Sequence, residues 1–147
     1  MSPINLLLAD DDDDDCLFFR DALEELPFSA NLTTVHNGEQ LMQYLEGNAT
    51  TLPDVLYLDL NMPRKNGYDC LYEIKKHEKL KQIPVVIFST SFYSQGINEL
   101  QQQGAQHYIR KPASFSDFKK VILESLMFIL EVNGKTMGTE TFTLTPI

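Results

Sequence analysis

The chain is poor in positive charge. Twelve Lys and Arg stand against 21 Asp and Glu among 147 residues, a formal charge of −9. Phosphate backbones are held by clustered Lys and Arg, so this balance argues against a nucleic-acid partner. It favours a soluble acidic protein with an affinity for cations such as a metal. Cysteine is scarce as well. Cys16 and Cys70 lack metal-ligand spacing and read as free buried thiols in a reducing compartment, not as a disulfide. No apolar run approaches the roughly 20 residues of a membrane span. Met1-Ser2-Pro3-Ile4 lacks the basic-then-apolar layout of a signal peptide. The expected location is the cytoplasm, with no membrane partner. His36, His77 and His107 are scattered without a spacing for metal binding or catalysis, and read as surface or half-buried residues.

What the chain does have is a repeating pattern, and its length suits one domain with a sizeable core. Short apolar runs at 4–9, 31–36, 54–59, 84–90 and 107–110 read as strands. Amphipathic stretches lie between them. Residues 16–26 place Phe19, Ala22 or Leu23, and Leu26 on one face, and Pro27 stops that helix. Asn37 can cap a helix carrying Leu41, Met42 and Leu45, closed by Gly47. Residues 67–79 turn Leu71 and Ile74 inward, and 94–103 form a polar helix anchored by Ile97 and Leu100. The last helix enters through Ser114, with Asp117 at the third position of a capping box, and runs to about Glu131. This alternation predicts an α/β fold, a parallel sheet covered by helices on both faces through right-handed crossovers. Ligands of such sheets bind at the carboxyl ends of the strands. Asp10, Asp59, Ser89 and Lys111 all fall there.

Asp59 ends the apolar run Val55-Leu56-Tyr57-Leu58, just before Leu60-Asn61-Met62-Pro63. A strand-end Asp often serves only to cap the next turn. A buried carboxylate is costly unless paired, however, and other strand ends supply partners. Asp10, Asp11 and Asp59 bring carboxylates together that repel unless a cation intervenes. Lys111 offers one positive charge, and a hard divalent ion such as Mg²⁺ would satisfy the rest. A calcium-binding EF-hand loop starting at Asp10 fails, because its sixth and twelfth positions are Asp15 and Asp21 rather than Gly and Glu. A carboxylate beside Mg²⁺ and Lys can act as a nucleophile towards a phosphoryl group, with Ser89 hydrogen-bonding a phosphoryl oxygen.

Four segments carry a specific resemblance: Leu7-Leu8-Ala9-Asp10-Asp11-Asp12, Leu58-Asp59-Leu60-Asn61-Met62-Pro63-Arg64-Lys65-Asn66-Gly67, Pro84-Val85-Val86-Ile87-Phe88-Ser89-Thr90-Ser91 and Tyr108-Ile109-Arg110-Lys111-Pro112. Over about residues 3–131 the chain resembles the receiver domain of bacterial two-component response regulators, most of all the stand-alone receivers associated with phytochromes. The resemblance implies a doubly wound, flavodoxin-like sheet of five parallel strands in the order 2-1-3-4-5. It implies a Mg²⁺-dependent signalling protein phosphorylated on Asp59 by a sensor histidine kinase or phosphotransfer protein. Asp11 would bind Mg²⁺ directly, Asp10 through water, and the backbone carbonyl of Asn61 would be a further ligand beside Asp59. Lys111 would pair with the phosphoryl group, and Lys111-Pro112 is commonly cis in this family. Ser89 and Tyr108 match the positions that rearrange on phosphorylation. Ser89 replaces the commoner Thr but keeps the hydroxyl. Asp13, Asp14 and Asp15 exceed the needs of the metal site and are explained by the dipole at a helix start.

Such a module is no enzyme beyond its own phosphorylation and dephosphorylation. It would signal by docking a downstream protein. Two alternatives are a pseudo-receiver that binds without being phosphorylated, and a small aspartate-nucleophile phosphatase of the haloacid-dehalogenase type. The phosphatase needs a second Asp where this chain has Asn61. The last helix carries apolar residues beyond one stripe, since Leu123, Met127 and Leu130 fall to the side of Phe118, Val121, Ile122, Ser125, Leu126 and Ile129. Its extra face would be covered by a second copy, as a homodimer, or by the tail. Residues 1–131 are expected to form the receiver domain, with 132–147 a tail and no output domain. Phe142 and Leu144 alternate with threonines as in a strand, expected to pack on the last helix of its own chain or of a partner.

Overall fold

The computed structural model describes residues 3–27, 29–48, 51–90, 94–131 and 143–144. Strands β1 (Ile4–Ala9), β2 (Ala30–Val35), β3 (Val55–Leu58), β4 (Val85–Ser89) and β5 (His107–Arg110) form a parallel sheet in the order 2-1-3-4-5. Helices α1 (Asp13–Glu24), α2 (Gly38–Gly47), α3 (Gly67–Lys76), α4 (Ser94–Gln102) and α5 (Phe115–Glu131) alternate with them. A sixth strand, β6 (Thr143–Leu144), extends the five expected by pairing parallel to β5, with Tyr108 opposite Thr143 and Ile109 opposite Leu144.

Alternation along the strands builds two cores. Leu7, Ala9, Leu56, Leu58, Val85 and Ile87 meet α2, α3 and α4 through Leu41, Leu45, Leu71, Ile74, Ile97 and Leu100. Leu6, Leu8, Val55, Tyr57, Val86 and Phe88 meet α1 and α5 through Phe19, Ala22, Phe118, Val121, Ile122 and Leu126. Each such large apolar side chain contributes on the order of 1.5–3 kcal/mol by leaving water. Uniformly apolar strands follow from burial on both faces.

Some boundaries differ from expectation. Helix α1 begins three residues early, because Asp12 caps it by accepting from the amides of Asp14 and Asp15. Gly47 is the last helical residue of α2, and Asn48 takes the cap beyond it. Helix α3 stops at Lys76, since the His77 ring accepts from the amides of Lys79 and Leu80 and starts a short 3₁₀ turn, Leu80–Gln82. Ser114 Oγ accepts from the Asp117 amide as the capping box requires. His107 is buried rather than half-exposed, packed against Phe128 because β5 is covered by α5. No peptide is cis among the described residues, Lys111–Pro112 included.

The tail segment 143–144 takes the sheet edge and also touches α5. Phe142 lies outside the described residues, as does most of the tail. On α5, Leu123 is half-buried and Met127 is 42% exposed. The side chain of Leu130 is not among those described.

Ser125 explains itself on the apolar stripe of α5. Its Oγ donates to the Ile122 carbonyl at 2.8 Å and therefore accepts from the Tyr57 hydroxyl at 2.6 Å, all of it buried. Ser125→Ala would leave the Tyr57 hydroxyl without its acceptor and should lower stability by about 1–3 kcal/mol, read by thermal melting. Adding Tyr57→Phe should recover most of the loss. Truncation after Glu131 should speed amide exchange along β5, measured by hydrogen–deuterium exchange, because it removes the strand that covers that edge.

Candidate functional site

The site residues are held by the last rungs of the sheet. The Asp10 amide donates to the Val35 carbonyl at 3.0 Å, the Asp59 amide to that of Ala9 at 2.9 Å, and the Lys111 amide to that of Ser89 at 2.9 Å. Strands that pair in parallel thus deliver Asp10, Asp59, Ser89 and Lys111 to one end. After Asp59 the chain turns back through Asn61–Asn66, where Asn66 caps α3 by accepting from the Asp69 amide at 2.9 Å. Gly67 starts that helix against the site loop. A Cβ there would lie 2.8 Å from Leu60 Cα and closer still to the Asp59 carbonyl, so only hydrogen fits.

Carboxylate oxygens of Asp10, Asp11 and Asp59 all lie within 4.8 Å of one another. Asp10 and Asp59 are buried, and Asp11 is exposed. The Lys111 ammonium sits 2.8 Å from Asp10 Oδ2, 2.8 Å from Asp15 Oδ2 and 3.3 Å from Asp59 Oδ2. Asp59 Oδ1 accepts from the Asn61 amide at 3.2 Å, and Asp10 Oδ1 from the Asp12 amide at 2.9 Å. Ser89 is fully buried and hydrogen-bonded to the Tyr108 hydroxyl, whose ring is buried beside it. All the residues expected to act together are therefore gathered, although the Asn61 contact seen here is through its amide.

The electrostatics are unbalanced. Burial raises the Asp10 carboxyl to about 6, with Lys111 and the Asp12 amide pulling it back and Asp59 adding to the rise. Burial likewise raises Asp59 against the opposing pull of Lys111 and the Asn61 amide. For Lys111, burial works against the charge, but the contacts with Asp10 and Asp15 outweigh it and the ammonium is held more firmly. Cys16, whose thiol faces the Asp10 carbonyl, is pushed by burial and then by Asp10 up to about 12, which leaves it unreactive.

A divalent cation fits this donor set. Among the described residues, Asp10 Oδ2 is buried with no well-aligned hydrogen-bond donor and lies against the shared Lys111 ammonium. Hard oxygen donors close together, one of them exposed and open to water, suit a hard ion.

Asp15 is the surprise. The helix-dipole explanation for Asp13, Asp14 and Asp15 omits its ion pair with Lys111, 96 residues away in sequence. A signal was present. Asp15 precedes Phe19 by four residues and Ala22 by seven, so it shares the inward stripe of α1.

The family profile "Response regulator receiver domain" matches residues 6–123. A probable methanogenesis regulatory protein, FilR2 of Methanothrix harundinacea, is 31% identical over 84% of this chain and 81% of its own length. The two-component response regulator ARR7 of Arabidopsis thaliana is 34% identical over 63% of this chain, a match that spans only 49% of the plant protein. Among solved structures, the phosphorylated cyanobacterial phytochrome response regulator RcpA superposes with a TM-score of 0.81 at 32% identity, covering 89% of this chain and 96% of that one. Response regulator RPA3017, of red-light signalling in R. palustris, gives 0.78 at 28% identity over 91% and 96% of the two chains. The Mn²⁺-bound form of response regulator Rcp1 gives 0.76 at 25% identity over 93% and 100%. With strand-end carboxylates, a lysine and a buried serine in the arrangement described above, and with most of its length matched by the family profile, this chain belongs to the response regulator receiver domains.

Proposed function

We propose that the protein is a cytoplasmic phosphorylation switch that accepts a phosphoryl group on Asp59. A sensor histidine kinase or a phosphotransfer protein is the donor. The observation that carries this reading is the environment of Asp59: a nearly buried carboxylate at a strand end, 3.3 Å from the Lys111 ammonium and grouped with Asp10 and Asp11. An oxygen of Asp59 attacks phosphorus as the P–N bond to the donor histidine breaks, and the imidazole leaves with the bonding pair. Lys111 meets the charge of the transferring oxygens, and the Asn61 amide steadies the attacking carboxylate.

Mg²⁺ is the cation assigned to Asp10, Asp11, Asp59 and the Asn61 carbonyl, and when bound it would neutralise phosphoryl charge. That RcpA was solved phosphorylated and Rcp1 with Mn²⁺ supports the same chemistry for this chain. Ser89 then turns its hydroxyl to a phosphoryl oxygen, which changes its bond to Tyr108 and biases β5 between two states. The signal leaves through a protein, or a second copy, docked near α5, where Met127 is exposed. Acetyl phosphate with Mg²⁺ should label the wild type at Asp59, read by intact mass and peptide mapping. Undiminished labelling of Asp59→Asn would overturn the assignment.

The same charges make a stability prediction. A carboxyl whose pKa is raised on folding favours the folded state only while protonated. The Asp10 contribution therefore falls as pH climbs from its unfolded range near 3.8 through about 6 and stays unfavourable at pH 7. Asp10→Asn should raise the melting temperature in chelator at pH 7 by several degrees, at about 2–4 °C per kcal/mol for a domain of this size. Added Mg²⁺ should stabilise the wild type and not the variant. A variant that melts lower than wild type in chelator would count against it.

A further inference from the structure

Three carboxylates share the Lys111 ammonium, and one of them stands apart. Asp10 and Asp59 belong to the oxygen cluster suited to a cation, whereas Asp15 does not. Its contact is as short as that of Asp10, 2.8 Å against 3.3 Å for Asp59. The Lys111 side chain is 7% exposed and that of Asp15 25%, so their ion pair is part-buried. Asp15 is also fixed on its own side. Its amide donates to the Asp12 cap at 3.2 Å, and its stripe of α1 continues into Phe19 and Ala22, both fully buried.

An ammonium has three protons, and here three carboxylates lie in reach of them. A phosphoryl group on Asp59 brings new oxygens that need Lys111. A cation at the cluster neutralises Asp10 and Asp59 but leaves Asp15 as an unshared anion on the lysine. We propose that Asp15 is a positioning residue that restrains Lys111, competing with phosphoryl oxygens for its ammonium and so holding down the rate at which Asp59 is phosphorylated. This rests on the phosphoacceptor reading of Asp59. The other extra aspartates differ in kind. Asp14 is exposed on the same first turn, carries the same charge, and has no such contact among the described interactions.

That contrast supplies the experiment. Asp15→Asn and Asp14→Asn remove equal charge from adjacent positions, and Asp15→Ser repeats the first where the amide disturbs the cap. In the metal-free protein, ¹⁵N-detected spectra of lysine side chains should show a protected Lys111 ammonium in wild type and Asp14→Asn, and a broadened, fast-exchanging one in Asp15→Asn. With acetyl phosphate at fixed Mg²⁺, Asp15→Asn should label about fivefold faster than wild type, and Asp14→Asn within twofold of it. An Asp15 variant that matches Asp14→Asn in both readouts, or that labels more slowly than wild type, overturns the proposal. If the wild type takes no label at all, the phosphoacceptor reading falls, and with it the proposed effect on rate. The Lys111 resonance then shows separately whether Asp15 restrains the lysine.

Discussion

One ammonium against a group of carboxylates is the interaction on which this molecule turns. Among the described residues, Lys111 is the cation that reaches Asp10, Asp15 and Asp59. The sheet imposes the meeting. Asp10 and Asp59 each follow a strand whose last backbone bond is made to its neighbour, so register carries these two like charges to a common point, and the first turn of α1 brings Asp15 beside them. Burial then makes the point expensive, as the raised Asp10 and Asp59 show. A hard cation at such a site would relieve a cost that folding has already imposed.

The surroundings of the site are built to hold that cost in place. Two apolar cores clamp the strands from either side, with Leu7 and Leu56 facing one and Leu8 and Tyr57 the other. The aromatic group Phe19, Tyr57, Phe88 and Phe118 packs edge-to-face beneath the acidic end. Phe88 also lies 5.6 Å from the Lys111 ammonium, a position that favours the charge from below. Gly67 lets α3 approach the Asp59 backbone as closely as it does, which keeps the loop after Asp59 short and the Asn61 amide on its carboxylate.

Much of this was legible in the sequence, because the signals were local. Continuous apolar runs revealed strands covered on both faces, and the stripe Phe19, Ala22, Leu23 revealed how α1 lies. The acids and Lys111 stood at strand ends, where parallel sheets place their ligands. What escaped depended on distance. The strand-like alternation around Leu144 was legible, but its partner was not, because the pairing of Thr143–Leu144 with β5 joins segments with a whole helix between them. The burial of His107 depends on α5 covering its strand. Asp15 was hidden differently. It stood within a run of like residues whose presence at a helix start already had an adequate explanation, so the inward phase of one member drew no notice.

Strand β5 shows how closely site and edge are joined. It has only four residues. Tyr108 on it reaches Ser89 at the site and pairs through its backbone with Thr143 at the outer edge, while Lys111 follows directly after its end. Lys111 thus lies only a few residues of chain from Tyr108 and Ile109, which pair with the edge strand. Packed cores respond to shifts by changing between discrete arrangements rather than by bending smoothly. The short strand makes the same backbone both the holder of the site's positive charge and the border of the sheet.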